Sequence, residues 1–560
     1  MEPRVVSTDV LVIGGGHAAL RSALEAARQG VKVTLVDKGR PGRSSIASGD
    51  GGGSFGSIKA PVEMGGDPKE PEDAVMRDAV RGGEYLNDQK LGDIFCAEGI
   101  DRFRDLVALG VPFGKKPDGT YRVRRNMGES FPRGFGLQKG PDSIFDCLMK
   151  ELKGLGVDIF PQVMITRLLT KDGRVAGAFG LDKTWGQNLV FQAKATILGT
   201  GGMTGLFKHT SAYNPATGDS FALAYGAGAQ MRNMEICGFS LIPTPMGISI
   251  SMGATMPMTA GGARWINADG ERIMERYDPE RLELADEWKM PYANYKERRD
   301  GRGPVYLDLS FMKTPPEGMM EKLKQYIPQI DPMRERVEMS VSIRTSPGGA
   351  LIDEKARTTV AGLYAAGDAS GEAGTRGAGG RTGGFTSAHV FGCRAGLHAA
   401  QEARGQATVA LDQGQVAGEE KRIASYKKSG GCDPFGAERR VREYASENLN
   451  IIRNQQGLER AVGFFSGFAQ SEYFRMTAED LGGLVKALEV ANLALTGEMV
   501  ARSALMRTES RGFHQREDFP ARDDANWLKW IMIQKGADGK MALTTRPVPV
   551  EEYPLRPDNY

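Results

Sequence analysis

Val10-Leu11-Val12-Ile13-Gly14-Gly15-Gly16-His17-Ala18-Ala19 decides the reading of this 560-residue chain. A β-branched apolar run ends in three glycines, which open onto an Ala/Leu-rich helical pattern from Leu20 to Gln29. A second apolar run, Val31 to Val36, ends at Asp37. Strand, glycine turn, helix, strand and terminal carboxylate together form the βαβ fingerprint of a dinucleotide site. Gly14 permits the tight turn, and Gly16 lets backbone approach a pyrophosphate. Ala19 supplies the small residue needed where helix packs on strand. The helix amino terminus offers free N–H groups and the positive end of its dipole. Asp37 stands where a carboxylate accepts from ribose hydroxyls.

The rest of the composition narrows the function. The length allows about three or four domain-sized units. With 72 basic and 70 acidic residues the net charge is +2, so no excess charge points to nucleic acid or a membrane surface. No apolar run reaches the ~18 residues of a membrane span, so no direct membrane insertion is expected. The first strand begins close to the amino terminus, which leaves no room for a signal peptide. Cys96, Cys147, Cys237, Cys393 and Cys432 contain no C-x-x-C pair. Reduced thiols in the cytoplasm are therefore expected, and no metal site. Five histidines show no ligand spacing; His389 and His398 read as packing residues, while His17 sits inside the phosphate turn.

Along the chain, Lys38 to Gly56 is glycine-rich and carries Arg43, Ser44, Ser45, Gly51 and Gly52, which suits a loop lying against a flat ligand. Ala195 to Leu198 is a buried strand that ends in a second glycine turn, Gly199-Thr200-Gly201-Gly202. Texture changes from Pro245 to Ile343, where Met, Pro and charged residues rise. Gly362 to Asp368 then restores the strand-plus-glycine pattern, and Ser387 to Gln401 reads as the helix that follows. The fold class is α/β: a Rossmann-like domain at 1–244 and 344–403, interrupted by an inserted α+β unit at 245–343. A helical unit follows at 404–530, and 531–560, rich in proline, reads as an extended tail.

These motifs resemble the flavoprotein subunit family of succinate dehydrogenase and fumarate reductase, which includes L-aspartate oxidase and the α subunit of adenylylsulfate reductase. The resemblance runs from Asp9 to about Lys529. It is carried by the first glycine turn, Arg43-Ser44-Ser45 to Gly51-Gly52, Thr200-Gly201-Gly202, Thr217-Gly218-Asp219 and Gly362 to Asp368. The longest matching run is Arg507-Thr508-Glu509-Ser510-Arg511-Gly512-Phe513-His514-Gln515-Arg516-Glu517-Asp518-Phe519-Pro520, with Asp523-Asp524 and Trp527 after it. The resemblance implies FAD, a capping domain formed by the insertion, and hydride transfer between flavin and a small substrate. It also implies an iron–sulfur partner subunit, and with it a cytoplasmic protein or one peripheral to a membrane through that partner. The cofactor contacts it implies are Gly14, Gly16, Ala19, Asp37, Lys38, Ser44, Ser45, Gly51 and Gly52 in the first half. In the second half they are Thr200, Gly201, Gly202, Asp219, Gly367, Asp368 and Ser387.

Several positions depart from the family pattern. Ser45 stands where succinate dehydrogenases carry the histidine that bonds FAD covalently, so non-covalent FAD is expected. Ile242 and Arg344 replace two family histidines that hold a dicarboxylate, and Glu287 falls at the family's proton-delivering arginine. Arg381 matches the family's other substrate arginine. Arg344, Arg381 and Glu287 are thus the expected catalytic set, with an anionic substrate held by the two guanidinium forks. Adenylylsulfate-reductase-like chemistry, and an electron-relay flavoprotein whose substrate site has decayed, remain open alternatives.

Overall fold

The computed structural model describes residues 3–557 apart from 44, 46–53, 213–215, 245–257, 260, 313–327, 329–330, 332–333, 381–382, 428–429 and 469–474. The central sheet is built from β1 (Arg4–Ile13), β2 (Val33–Asp37), β3 (Asp158–Pro161), β4 (Val163–Lys171), β5 (Arg174–Asp182) and β6 (Asn188–Leu198). Strand order is β3-β2-β1-β6-β5-β4. β6 runs parallel to β1 along its length. On its other edge its first residues, Asn188–Gln192, pair antiparallel with β5, and Thr196–Leu198 pair parallel with Leu363–Ala365. The strand that follows the insertion thereby returns beside the one that precedes it. β1, β2, β6 and Leu363–Ala365 all end at the same edge, the crevice where open α/β sheets bind ligands. Val10, Leu11 and Val12 are fully buried, as an unbroken apolar run in a sheet covered on both faces requires.

Helix α1 (His17–Arg28) and helix α2 (Gln89–Ala108) pack in this core. Inserted strands β7 (Gly238–Pro243), β8 (Arg264–Ile266), β9 (Val305–Asp308) and β10 (Val337–Thr345) form an antiparallel sheet in the order β7-β10-β9-β8. Helix α3 (Lys289–Arg299) packs on it. The sheet begins before residue 245 and runs to Thr345, because β7 and β10 pair with each other at the junction. Helix α4 (Gly384–Gly405) then crosses α1 closely: a Cβ at Gly392 would stand 2.8 Å from Ala18 O.

Helices α5 (Pro434–Asn448), α6 (Gln455–Gly467) and α7 (Leu481–Met506) form the helical unit. The polar stretch around 403–431 holds a helix as well, Gln413–Ser425, whose Val416 and Ile423 bury against Met164, Leu169 and Leu488. Within 531–560, expected to trail as an extended tail, residues 531–547 instead complete a hairpin of β11 (Lys529–Lys535) and β12 (Met541–Pro547). β11 pairs with Met231–Arg232. Trp530, Ile531, Met532 and Ile533 bury, which holds this segment in the structure despite the prolines around it. Among the described residues no helix is long and apolar enough to cross a membrane.

The charge-rich run after α7 is not a solvated loop. Arg507, Glu509 and Arg511 are completely buried, and Glu509 accepts from Arg507 at 2.9 Å and from Arg511 at 2.7 Å. Arg507 also donates to the buried Glu235 at 2.8 Å, and Arg511 pairs with Asp524 at 2.9 Å. Phe513 N–H donates to Ala378 O at 2.8 Å. The run therefore buttresses the glycine loop that follows Asp368. Removing one partner of a buried ion pair costs about 3–5 kcal/mol. Glu509→Ala, which removes the carboxylate shared by two buried guanidinium groups, is expected to lower the temperature at which the protein unfolds by several degrees or more. Calorimetry checks this, and an unchanged transition would contradict a structural role for the network.

Candidate active site

The sheet crevice opens into a cavity of about 720 Å³. Its floor is the first glycine turn. Gly14 N–H donates to Val36 O at 2.7 Å, Gly199 N–H donates to Ile13 O at 2.8 Å, and Gly14 adopts φ +119°. Any Cβ at Gly14 would overlap Gly199 O, and one at Gly199 would meet Ala19 Cβ at 2.8 Å. The two glycine turns are thus pressed together, and Ala19 works as packing behind the wall. Gly16 precedes α1, and a Cβ there would lie 3.3 Å from Ser45 Oγ.

Asp37 lines the cavity at the end of β2. Burial pushes its carboxyl up, while the Gly39 N–H, Lys38, Lys183 and its own turn hold it down. Lys38 and Asp219 also line the wall, but they face each other at 2.8 Å. Lys38 pairs as well with Glu489 of α7 at 3.0 Å. Burial raises the Glu489 carboxyl, yet Lys38 and Lys486 hold it down at about 2. The helical unit therefore completes the nucleotide end of the cavity.

Among the described residues, buried atoms on the wall that lack a hydrogen-bond partner include Thr200 Oγ1, His17 Nε2, Thr345 Oγ1 and Asp368 Oδ2. A ligand with a pyrophosphate and a row of hydroxyls would satisfy such atoms, so the cradle fits a flavin dinucleotide. His17 lies between the rings of Phe145 and Phe385, with centroids at 4.3 and 4.4 Å. Its Nδ1 is 3.2 Å from His389 Nε2. Burial pushes His17 down to about 3, so its imidazole is neutral at ordinary pH. Asp368 is pushed up to about 7 by burial and then by Glu372, against the opposing charge of Arg376.

Beyond Asp368 the wall carries Arg344, from the end of β10, and Arg376, from the glycine loop. Both donate to one carboxylate, Glu287, which is 3 % exposed and stands just before α3. The Arg376–Glu287 distance is 2.9 Å, and Arg376 also pairs with Glu372, four residues earlier, at 3.2 Å. Glu287 does not itself line the cavity. The end of the inserted sheet, the segment before α3 and the glycine loop of the core thus meet in a single ion cluster.

Of the expected contacts, Gly14, Gly16, Asp37, Lys38, Ser45, Thr200, Gly201, Asp219, Gly367, Asp368 and Arg344 line the cavity. Gly202 lies off the wall, against Ser346, as does Ser387, a buried residue of α4. Ser44, Gly51, Gly52 and Arg381 fall outside the described residues. Sequence reading missed Arg376, Glu372 and Glu489. For the first two the signal was present: an acid and a base four residues apart between glycines, spaced for an (i, i+4) pair.

The FAD binding domain family matches residues 9–383, and the family described as fumarate reductase flavoprotein C-term matches residues 438–560. One component of the fumarate reductase (CoM/CoB) of Methanothermobacter marburgensis is 33% identical over 558 residues, covering 96% of this chain and 98% of that one. A solved structure of Escherichia coli quinol fumarate reductase superposes with a TM-score of 0.89 at 25% identity, covering 98% of each chain. Adenylylsulfate reductase of Archaeoglobus fulgidus shares the fold, with a TM-score of 0.79 at 22% identity over 99% of this chain and 98% of that one. With its glycine cradle, its returning strand and its inserted sheet in place, the chain belongs to the fumarate reductase and succinate dehydrogenase flavoprotein family of FAD-dependent oxidoreductases.

Proposed function

We propose that this chain is the flavin-bearing subunit of a complex that exchanges hydride with a small anion and passes electrons through an iron–sulfur partner. The observation that carries the substrate reading is the pair Arg344 and Arg376 on the wall that continues from Asp368. The bound flavin would supply the two-electron chemistry. The chain's own residues bind, orient and enclose. The glycine turns and Asp37 hold the dinucleotide, Thr200 and His17 offer hydrogen bonds toward it, and Ser45 takes no covalent part. Arg344, Arg376 and Arg381 orient the substrate anion, and the inserted unit carries Glu287 against Arg344 and Arg376 and excludes water. The partner reading is supported by relatives named as subunits. Among the described residues no group of His, Cys, Asp and Glu could hold a metal ion.

The purified protein is expected to be yellow, with FAD at one per chain. Acid precipitation should release all the colour, and colour that stays in the pellet would show a covalent link. Asp37→Ala should reduce flavin occupancy.

Arg344→Ala should cut turnover with the substrate by a factor of about 30 or more while FAD stays bound, from the ~2–5 kcal/mol of a buried charge-assisted contact. With reduced dye and fumarate, the rate should fall well short of a dedicated fumarate reductase. Equal rates would show that the exchange of two histidines for Ile242 and Arg344 does not exclude that substrate.

Asp368 gives a pH prediction for the flavin-stripped protein. Its value rises in the fold from 3.8 to about 7. Between these values the folded chain keeps a proton that the unfolded chain has lost, so this group makes stability fall as pH rises from about 4 to about 7. Asp368→Asn should flatten that part of the slope in denaturant titrations at pH 5 and pH 8.

A further inference from the structure

Two imidazoles meet where α1 crosses α4. His17 opens α1, and His389 stands in the second turn of α4. His17 Nδ1 lies 3.2 Å from His389 Nε2, a hydrogen-bond distance that places one proton between them. The other two ring nitrogens, His17 Nε2 and His389 Nδ1, are buried without a hydrogen-bond partner among the described residues. Aromatic neighbours fix both rings: Phe145 and Phe385 hold His17, and Phe55 meets His389 edge-on. Burial lowers the pKa of both, so each ring is neutral and carries one proton.

Two arrangements satisfy that count. In one, His389 Nε2–H donates to His17 Nδ1, and the proton of His17 sits on Nε2. In the other, His17 Nδ1–H donates to His389 Nε2, which leaves His17 Nε2 a bare acceptor and puts the proton of His389 on Nδ1. The surroundings separate them. One turn further along the crossing, Arg21 and Arg102 both donate to Cys393 Sγ, at 3.5 and 2.7 Å. Arg21 pairs with Glu25 and Asp105 through one nitrogen, while its Nε and its other terminal nitrogen keep N–H groups without a partner. Both guanidinium groups act on His389. His389 Nδ1 thus has donors and cations near it, which suits a bare nitrogen and not an N–H. At the other end His17 lines the cavity at the amino terminus of α1, where ligand oxygens gather. Acceptors there call for a donor.

We infer that His389 is a positioning residue that fixes the tautomer of His17: His389 Nε2–H donates to His17 Nδ1, and His17 Nε2–H donates to an oxygen of the bound dinucleotide. The inference rests on the flavin reading and adds to it a donor that the glycine fingerprint does not contain.

The test uses the FAD-loaded full chain with ¹⁵N-labelled histidine and reads each ring by long-range proton–nitrogen correlation. The chain has five histidines, and His17→Gln and His389→Gln assign the two signals. Both rings are expected to carry the proton on Nε2, and the His17 Nε2 signal is expected to move when FAD is stripped. A proton on His17 Nδ1 would overturn the inference, and so would a His17 Nε2 signal indifferent to FAD. His389→Phe keeps a ring but removes the donor. It should free the His17 proton to occupy either nitrogen and weaken FAD binding by about ten-fold, the scale of one buried hydrogen bond. His389→Gln, which retains an N–H donor, should recover most of that affinity. A folded His389→Phe that binds FAD as the wild type does would overturn the positioning role. If His389→Phe does not fold, the wild-type tautomer still decides. A wild-type protein that takes up no FAD would overturn the flavin reading itself, and this inference with it.

Discussion

The rest of the molecule depends on the close approach of two backbone turns, the one after β1 and the one after β6. A side-chain carbon on Gly14 would overlap Gly199 O, and one on Gly199 would press on Ala19, which closes the packing behind them. Parallel pairing of β1 with β6 brings both turns to the same edge of the sheet. Once they meet there, the floor of the cavity is backbone beside the start of α1, and a helix amino terminus is the surface an anionic cofactor needs. Everything added to the sheet afterwards, from Leu363–Ala365 to α7, supplies walls to that floor.

Those walls are largely ionic. Lys38, Arg344, Arg376, Arg507 and Arg511 are each matched by a carboxylate from another segment or from a nearby turn. A buried cation without a partner would cost several kcal/mol, so each pair ties two segments that must both be in place. Glu489 joins α7 to the strand that ends at Asp37. Glu287 joins the inserted sheet to both strand-end loops. The signature after α7 closes on itself and on Glu235, and its Phe513 N–H fixes the loop that carries Arg376.

The sequence made the local parts legible and left the pairings hidden. The βαβ unit at Val10 to Asp37 could be read because strand, turn and helix signals follow one another without a gap. The second turn at Gly199 and the return at Gly367 were readable for the same reason. Partners far apart in the chain leave no such local trace. Glu287 lies 57 residues from Arg344, and Lys38 lies 451 from Glu489. The sequence offered Glu287 and Arg344 as members of one catalytic set and gave no sign that they pair with each other, which the fold brings about. Prolines around the last strands suggested an open tail. Trp530 to Ile533 outweigh them, because four consecutive residues bury against the core.

The inserted unit leaves the core through β7 and returns through β10, and these strands are hydrogen-bonded neighbours from Gly238–Thr345 to Pro243–Met339. Two connections laced side by side behave like the two leaves of a door hinge. They bend together about one line and resist twisting about any other. Arg344 sits on that line, whereas Glu287 rides on the panel. Swinging the panel outward would carry the carboxylate away while the guanidinium stayed close to its post. Such a swing would leave the electric field at the mouth of the cavity more positive than it is with Glu287 against Arg344 and Arg376.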